Sequence, residues 1–371
     1  MRTLLTILVA AAFIFSSCKK SASSPPGSEF SELVNYGEIP YVSQPTPHQM
    51  IYYNSQIFAG TDDGIWKIDL ITKTWSRGGL DGKHITGIYS HPDIAGRLYA
   101  ATRSTSATDK SLYISNNSGA NWEPVTAPIF DNANQLYETY YDIKIRPGFP
   151  NQLYAKVEGI TIAVSKEGGQ TWNRQNYETS STFAFNGFIN FLQNNPNEII
   201  QGAETPLDHS WLAKYHIDES DPVKLGSYQR IIGDNLEWSN KRPNCIKTFP
   251  SNPSVLYVGM EGSLAKVEGT QWQYLYEGGK EPDRFPYTYI KGIWLDPGNS
   301  RHLIFGGGVN GLNTSLSLYE THDEGATIDQ LNDPFGMEDP EIISIVSCDP
   351  YPALLVNING ASRKARLLIY K

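Results

Sequence analysis

A pattern of about 50 residues recurs seven times along the chain and limits what this chain can fold into. Each copy has a β-rich run, a turn that usually contains proline, and a second apolar run that ends in small residues. This is the repeat length of a four-stranded blade, so the sequence predicts an all-β, seven-bladed β-propeller with antiparallel blades. The second runs lie 41 to 57 residues apart, counted between Phe58, Tyr99, Tyr154, Ile200, Tyr257, Ile304 and Leu355.

The second copy shows how each repeat divides into four strands. Alternating apolar residues and β-branched side chains predict strands at His84–Ser90, Arg97–Thr102, Ser111–Ser115 and Trp122–Val125. No segment keeps an apolar period of 3.6 residues, so almost no helix is expected. Proline is concentrated in the turns between the first two strands, where it removes no hydrogen bond from a sheet.

The last repeat is one strand short. After the predicted strands 354–358 and 365–370 the printed sequence stops. The spare N-terminal run Leu33–Val42 is expected to become the outer strand of blade seven. A ring joined in this way has no long unpaired edge.

The turns between the third and fourth strands carry a second pattern. A hydroxyl residue is followed two positions later by a polar residue, then by glycine and, in two copies, by tryptophan. Here the polar side chain should cap backbone N–H groups, the glycine should adopt positive φ, and the tryptophan should pack between blades. The residues are Ser115, Asn117, Gly119 and Trp122; Ser165, Glu167, Gly169 and Trp172; and Thr321, Asp323 and Gly325, followed by Ile328.

These turns resemble the Asp-box, or BNR repeat, whose pattern is S-x-D-x-G-x-T-W. The resemblance covers about residues 33–371 and implies the propeller superfamily of sialidases, xyloglucan-type glycoside hydrolases, sortilin-like receptors and photosystem assembly factors. In the hydrolases of that group the boxes lie on the face opposite the catalytic face. They therefore imply a fold and not an activity.

The N-terminus has the features of an export signal. Arg2 precedes an apolar run at residues 4–15, which is too short to span a bilayer, and Ser16-Ser17-Cys18 follows. The segment resembles the signal of a bacterial lipoprotein of the Bacteroidetes type, which implies lipidation of Cys18 and a cell-envelope location. An ordinary secretory signal is the alternative. The expected divisions are a signal at 1–17, a tether at 18–32 and the propeller at 33–371.

Composition narrows the possible partners. Thirty Lys and Arg stand against 39 Asp and Glu, a net charge of −9, and no basic block occurs. A nucleic acid is therefore not expected as a partner. Three cysteines build no disulfide framework and have no zinc-site spacing. No metal and no cofactor are predicted, membrane contact is expected through the lipid alone, and the protein is expected to be a monomer.

The loops at one face of the ring hold the candidate site. Ligands of propellers usually bind there, over the central channel, and aromatic rings beside charged groups suit sugars. The alternative is that these long loops only cover the channel mouth. The predicted ligand-binding residues are Trp238, Arg242, Arg284, Tyr287, Tyr289 and Arg103. Weaker catalytic candidates are His84, His209, Tyr287 and Asp283; Asp62 and Asp208 are further carboxylates that no motif singles out.

Three functions remain open from the sequence. The favoured one is an envelope lipoprotein that binds a glycan or protein on its upper face, because no complete catalytic set can be assembled. The second is a carbohydrate-active enzyme, either a glycoside hydrolase or a polysaccharide lyase. The third is an envelope assembly scaffold with a protein partner.

Overall fold

The computed structural model consists of seven four-stranded antiparallel sheets, and the described residues contain no helix. Accordingly, no described helix is long and apolar enough to cross a membrane. The described residues are 32–40, 46–103, 110–125, 139–157, 161–176, 185–192, 195–204, 210–218, 220–221, 225–232, 241–278, 288–309, 315–360 and 363–371.

The strands follow one another in chain order from β1, Leu33–Glu38. Strands β2 to β25 form six sheets of four consecutive strands, and β26 to β28 form the seventh sheet together with β1. Blade one has β2 (Pro47–Tyr53), β3 (Gln56–Thr61), β4 (Gly64–Asp69) and β5 (Thr74–Gly79). Blade two has β6 (Ile85–Ser90), β7 (Leu98–Thr102), β8 (Leu112–Ser115) and β9 (Glu123–Pro124). Blade three has β10 (Tyr140–Ile145), β11 (Leu153–Val157), β12 (Thr161–Ser165) and β13 (Asn173–Asn176). Blade four has β14 (Phe185–Leu192), β15 (Asn195–Glu204), β16 (Ser210–Ile217) and β17 (Leu225–Ile232).

The remaining blades repeat this order. Blade five has β18 (Pro243–Phe249), β19 (Asn252–Met260), β20 (Ser263–Glu268) and β21 (Gln271–Glu277). Blade six has β22 (Thr288–Leu295), β23 (Leu303–Val309), β24 (Leu318–Thr321) and β25 (Asp329–Gln330). Blade seven has β26 (Pro340–Cys348), β27 (Tyr351–Ile358), β28 (Lys364–Tyr370) and, at its outer edge, β1.

The first strands of the seven blades form the inner wall of a closed ring. Each contacts the first strand of the next blade, and β26 of blade seven contacts β2 of blade one. The predicted seven-bladed propeller is therefore confirmed. We call the end of the ring at which these inner strands begin the upper end, and the end at which they finish the lower end.

Strand β1 closes the ring as predicted. It pairs antiparallel with β28, with Leu33 opposite Tyr370, and Glu32 and Lys371 exchange backbone hydrogen bonds of 2.9 and 2.8 Å. The strand is shorter than the predicted Leu33–Val42 and ends at Glu38. Gly37 has a φ of 101°, which bends the strand, and Pro40 has no N–H to continue the ladder.

Apolar clusters fill the seven seams between neighbouring blades. One cluster joins inner residues of blade seven and blade one, and equivalent clusters recur around the described ring. Cys348 is buried in the first of these seams and Cys245 borders another; both are free thiols, as expected. Burial raises the pKa of Cys348 to about 11, so this thiol is a small apolar side chain and not a nucleophile.

The small residues that end each second apolar run make these seams possible. A Cβ on Gly60 would lie 2.6 Å from Cγ2 of Ile85 in the next blade, and one on Gly259 would lie 2.6 Å from Cγ2 of Ile290. Both distances are shorter than any van der Waals contact. The repeated small residue is thus the space into which the next inner strand packs.

Lys156 breaks this pattern in blade three. It pairs with Asp142 across the β10–β11 ladder, is fully buried, and its Nζ has no hydrogen-bond partner among the described residues. Burial lowers its pKa well below the usual value, and the Asp142 charge offsets only part of that effect. The interior around Lys156 therefore favours the neutral amine over the charged form.

The three patterned turns lie at the lower end and share one backbone conformation. In each, the hydroxyl of the first residue accepts a hydrogen bond from the N–H of the glycine, which has positive φ as predicted. The pairs are Ser115 and Gly119 (2.9 Å, φ 77°), Ser165 and Gly169 (2.9 Å, φ 91°), and Thr321 and Gly325 (2.8 Å, φ 90°).

The third residue of each turn caps in two different ways. Asn117 accepts the Asn121 N–H at 2.8 Å, and Asp323 accepts the Thr327 N–H at 2.8 Å, which lowers the pKa of Asp323 to about 2. The prediction of a backbone cap is wrong for Glu167, whose longer side chain accepts the Thr171 hydroxyl at 2.8 Å.

The tryptophans of these turns pack at the blade seams, as predicted. Trp122 donates its Nε1–H to the Gly78 carbonyl of blade one at 2.8 Å. Trp172 is buried in the cluster between blades two and three.

Candidate functional site

Every inner strand carries one extra residue near its upper end. In each of the seven blades the pairing of the first two strands shifts by one at the same place, which is a β-bulge. The bulged residues are His48, Thr86, Tyr141, Gly187, Asn244, Lys291 and Ile343.

This ring of bulges forms the upper wall of the central cavity. A bulge takes its residue out of the ladder and re-aims the side chain. Six of the seven bulged residues, all except Gly187, line a cavity of about 600 Å³ on the ring axis. The cavity is therefore built by one local irregularity repeated around the ring.

Lysines give the cavity wall a positive character. Lys144, Lys247 and Lys291 all line it. Asp142 pairs with Lys144 at 2.9 Å, and Glu341 pairs with Lys291. Lys247 has no direct ion-pair partner among the described residues, although the charge of Asp142 acts on it from a greater distance.

The environment of Lys247 makes its positive charge costly. Its side chain is exposed to the open cavity, and the inner strands of the ring surround it. Burial within the ring lowers the pKa of Lys247 and nearby Lys144 lowers it further, while the Asp142 charge offsets part of this shift. An anion bound in the cavity would relieve both effects, since opposite charge favours the protonated amine.

A histidine–aspartate cluster lies at the rim of the cavity. His48 Nε2 is 2.5 Å and His84 Nδ1 is 2.7 Å from the same oxygen, Oδ1 of Asp62, and the two rings stack with centroids 4.4 Å apart. The other carboxylate oxygen, Oδ2, accepts the Thr46 N–H at 3.2 Å. The three side chains come from three segments: the bulge of β2, the β3–β4 turn, and the residue before β6.

Charge states in the cluster follow from its contacts. Partial burial opposes ionisation of Asp62, but hydrogen bonds from His48 and Thr46 outweigh it and lower its pKa. Burial, together with His48 and Arg103, lowers the pKa of His84 despite the Asp62 charge. At neutral pH the cluster therefore holds a carboxylate and a neutral His84.

The other described candidates lie around the same upper end. Arg103 donates its backbone N–H to the His84 carbonyl at 2.9 Å. Arg242 pairs with Glu261 at 3.0 Å and donates to bulged Asn244 at 3.3 Å.

Tyr289 lies in β22 opposite Gly308. The contacts of Arg242 are thus separate from those of His84. Seven candidates lie outside the described residues: Cys18, Asp208, His209, Trp238, Asp283, Arg284 and Tyr287.

Sequence reasoning did not select His48 or the cavity lysines. The spacing of His48, Asp62 and His84 matches no metal motif, because each belongs to a different segment. The repeat is the sequence feature that could have indicated this cluster, since it assigns the segments of all three residues to the upper end. The lysines sit on inner strands, where the bulge interrupts the two-residue alternation that would reveal which side chains face the channel.

Comparison with known proteins supports the fold and leaves the family open. No family model and no curated protein matches the sequence. Among solved structures, the GH74 xyloglucanase from Xanthomonas campestris is 14% identical with a TM-score of 0.62, covering 89% of this chain and 54% of that one. The extracellular domain of BT4673 from B. thetaiotaomicron is 14% identical with a TM-score of 0.61, covering 91% of this chain and 40% of that one.

A third similar structure is close to this chain in length. YCF48 bound to D1 peptide is 12% identical with a TM-score of 0.59, covering 91% of this chain and 94% of that one. The chain thus spans about half or less of the first two proteins and nearly all of the third. At these identities the similarity shows a shared propeller fold and gives no information about the ligand of this chain.

Proposed function

We propose that this chain is a lipid-anchored binding protein of the bacterial cell envelope, with a propeller of the Asp-box type that takes a carbohydrate ligand at the upper end of its ring. The observation that carries the proposal is the ring of bulges. Six side chains are re-aimed into one cavity of about 600 Å³, a size typical of ligand sites. A channel that served packing alone would be filled by apolar side chains.

The charge of the cavity indicates the ligand's chemistry. Lys247 has no direct carboxylate partner in the described part of the ring, and Lys144 and Lys291 stand beside it on the wall. A carboxylate on the ligand would supply the missing partner through a charge-assisted hydrogen bond. We therefore favour a glycan that carries uronate groups. Trp238 and Arg284, from loops predicted at the same end, are proposed to extend this surface.

Replacement of Lys247 by methionine tests this assignment. Loss of one charge-assisted hydrogen bond, about 1.5–3 kcal/mol, should weaken binding of an acidic oligosaccharide roughly 10- to 100-fold. The measurement is a titration of oligogalacturonate into the purified wild type and the variant. The affinity for a neutral oligosaccharide of equal length should change little between the two proteins.

Lys166→Met is the matched control for this titration. Lys166 lies in a lower-end turn and pairs with Asp221 at 3.3 Å, so its removal should leave the affinity unchanged. Equal losses in both variants would contradict a role for Lys247. Release of reducing ends or of unsaturated sugar in the same samples would show an enzyme instead of a binding protein.

The lipid anchor is tested separately through Cys18. Acylation of Cys18 should place the protein in the membrane fraction, and Cys18→Ala should move it to the soluble fraction with the lipid mass absent. Fractionation and intact-protein mass spectrometry measure both effects. A soluble, unacylated wild-type protein would instead support the ordinary secretory signal.

A protein ligand is the second candidate. The observation that favours it is the similarity over nearly full length to YCF48 bound to a peptide. Capture of one partner from envelope extract, competed by an excess of soluble propeller and unaffected by acidic glycan, would support this candidate over the carbohydrate one.

A further inference from the structure

The histidine–aspartate cluster at the rim has the make-up of a metal centre. Its donors are two imidazole nitrogens and one carboxylate oxygen, all within 4.8 Å of one another. Imidazole and carboxylate together suit Zn²⁺ and neighbouring divalent transition metals. We propose that His48 Nε2, His84 Nδ1 and the Asp62 carboxylate form a binding site for one such cation, best matched by Zn²⁺.

The distances in the cluster support this assignment. Both imidazole nitrogens point at Asp62 Oδ1, at 2.5 and 2.7 Å. Around Zn²⁺, with bonds of about 2.0–2.2 Å, tetrahedral donors lie roughly 3.3 Å apart. The three donors therefore need to separate by less than about 1 Å to admit the ion, which small side-chain rotations provide.

The surrounding backbone holds the donors in place. Asp62 is fixed on two sides by Thr46, whose N–H donates to the carboxylate at 3.2 Å and whose carbonyl accepts the Asp62 N–H at 3.1 Å. The His84 carbonyl accepts the Arg103 N–H at 2.9 Å. His48 is the bulged residue of β2, so its side chain is already turned away from the sheet. Such support is what orients metal ligands in known sites.

The exposure of the cluster suits a site with open positions. The side chains of His48, Asp62 and His84 are 29%, 37% and 32% exposed. Three protein donors leave at least one position of a tetrahedral ion unfilled. Since His48 also lines the central cavity, an oxygen of a ligand bound there would complete the coordination. This last step alone rests on the proposed function.

A second histidine cluster in the molecule is of a different kind. His302 donates to Asp296 at 2.9 Å and to Glu320 at 2.8 Å, and it is only 3% exposed. Both of its nitrogens carry protons in that arrangement, so neither has a lone pair for a metal. His322, the exposed member, lies 3.5 Å from Glu320. This cluster is a buried ion pair, and its His322 supplies a control.

Zn²⁺ binding to the purified full-length chain tests the site. Competition against a chromophoric chelator should show one Zn²⁺ per chain with micromolar or tighter affinity. His48→Ala, His84→Ala and Asp62→Asn should each weaken binding at least about tenfold, and His322→Ala should leave it unchanged. Loss of binding in His322→Ala, or none in the rim variants, would overturn the assignment.

A measurement on the wild-type protein tests the site even if the variants fail to fold. Diethyl pyrocarbonate modifies accessible imidazoles, and peptide mass spectrometry locates them. Zn²⁺ should protect His48 and His84 at least about tenfold while His322 continues to react. Absence of protection at the rim, under conditions that saturate the chelator competition, would overturn the proposal. Neither assay contains a glycan, so failure of the carbohydrate proposal would leave this result intact.

Discussion

Deletion of residues 28–42 should abolish cooperative unfolding of the propeller. The deletion removes β1, the outer strand of blade seven, and reopens the ring. The deleted segment includes the buried side chains of Leu33, Tyr36 and Ile39. Burial of three such side chains is worth roughly 5–9 kcal/mol, comparable with the total stability of a typical domain of about 5–15 kcal/mol.

Polar contacts add to this loss. Glu38 pairs with Arg366 at 2.6 Å and with Lys364 at 3.0 Å, and these contacts outweigh the burial of Glu38 to lower its pKa. Without β1, the outer edge of β28 becomes an unpaired sheet edge, which is a site of aggregation. We expect a broad, early melting transition and concentration-dependent association.

Differential scanning calorimetry and circular dichroism check this expectation. Deletion of residues 19–31, which keeps β1, is the control and should melt like the full chain. A synthetic peptide of residues 32–42 added to the shorter protein should restore the transition. An unchanged melting temperature after deletion of 28–42 would show that the ring is held together without β1.

Glu320→Ala should destabilise the protein by about 3–5 kcal/mol, the range for breaking one side of a buried ion pair. Glu320 is only 7% exposed and accepts hydrogen bonds from His302 at 2.8 Å and from the Tyr370 hydroxyl at 3.0 Å. The alanine leaves a buried imidazolium with Asp296 as its remaining close partner and removes the acceptor of Tyr370. Because Tyr370 belongs to β28, the change also loosens the seam between blades six and seven.

The same cluster should make stability depend on pH. Burial alone would lower the pKa of His302, but hydrogen bonds to Glu320 and Asp296 outweigh it and raise the pKa in the folded protein. The resulting stabilisation is complete below the unfolded-state value of about 6.5 and is lost as the pH rises through the folded value. Stability should therefore fall as solutions become alkaline, within the range set by that raised pKa.

Urea unfolding between pH 6 and pH 9 measures both effects. His302→Gln should remove this part of the pH dependence and lower the stability at pH 6 more than at pH 9. His322→Ala, at the exposed edge of the cluster, should change the free energy of unfolding by no more than about 0.5 kcal/mol. If the free energy of unfolding of His302→Gln changed with pH as steeply as that of the wild type, the pH dependence would belong to other groups.

The repeat in the sequence was enough to predict the ring, because blade length, turn chemistry and small residues all recur in phase. The closing strand could be predicted because the last repeat lacks a fourth strand of its own. The site was less accessible to prediction. A bulge inserts one residue without a composition signal, so nothing before His48 or Lys291 marks where the alternation changes. The rim cluster forms only because three segments from two blades approach one another closely. The repeat length predicts that these segments share the upper end, but it does not predict the distances between their side chains.

The way in which β1 enters the ring has a consequence for how the molecule stands on a membrane. As the fourth strand of its blade, β1 runs from the lower end toward the upper end, and Glu32 lies beside Lys371 at the lower end. A lipid on Cys18, the anchor proposed above, would thus be connected to the propeller at its underside, beside Lys371. The cavity mouth would open outward from the bilayer, toward whatever large molecules pass there. A reporter fused to the C-terminus would sit near the bilayer and leave that opening unobstructed.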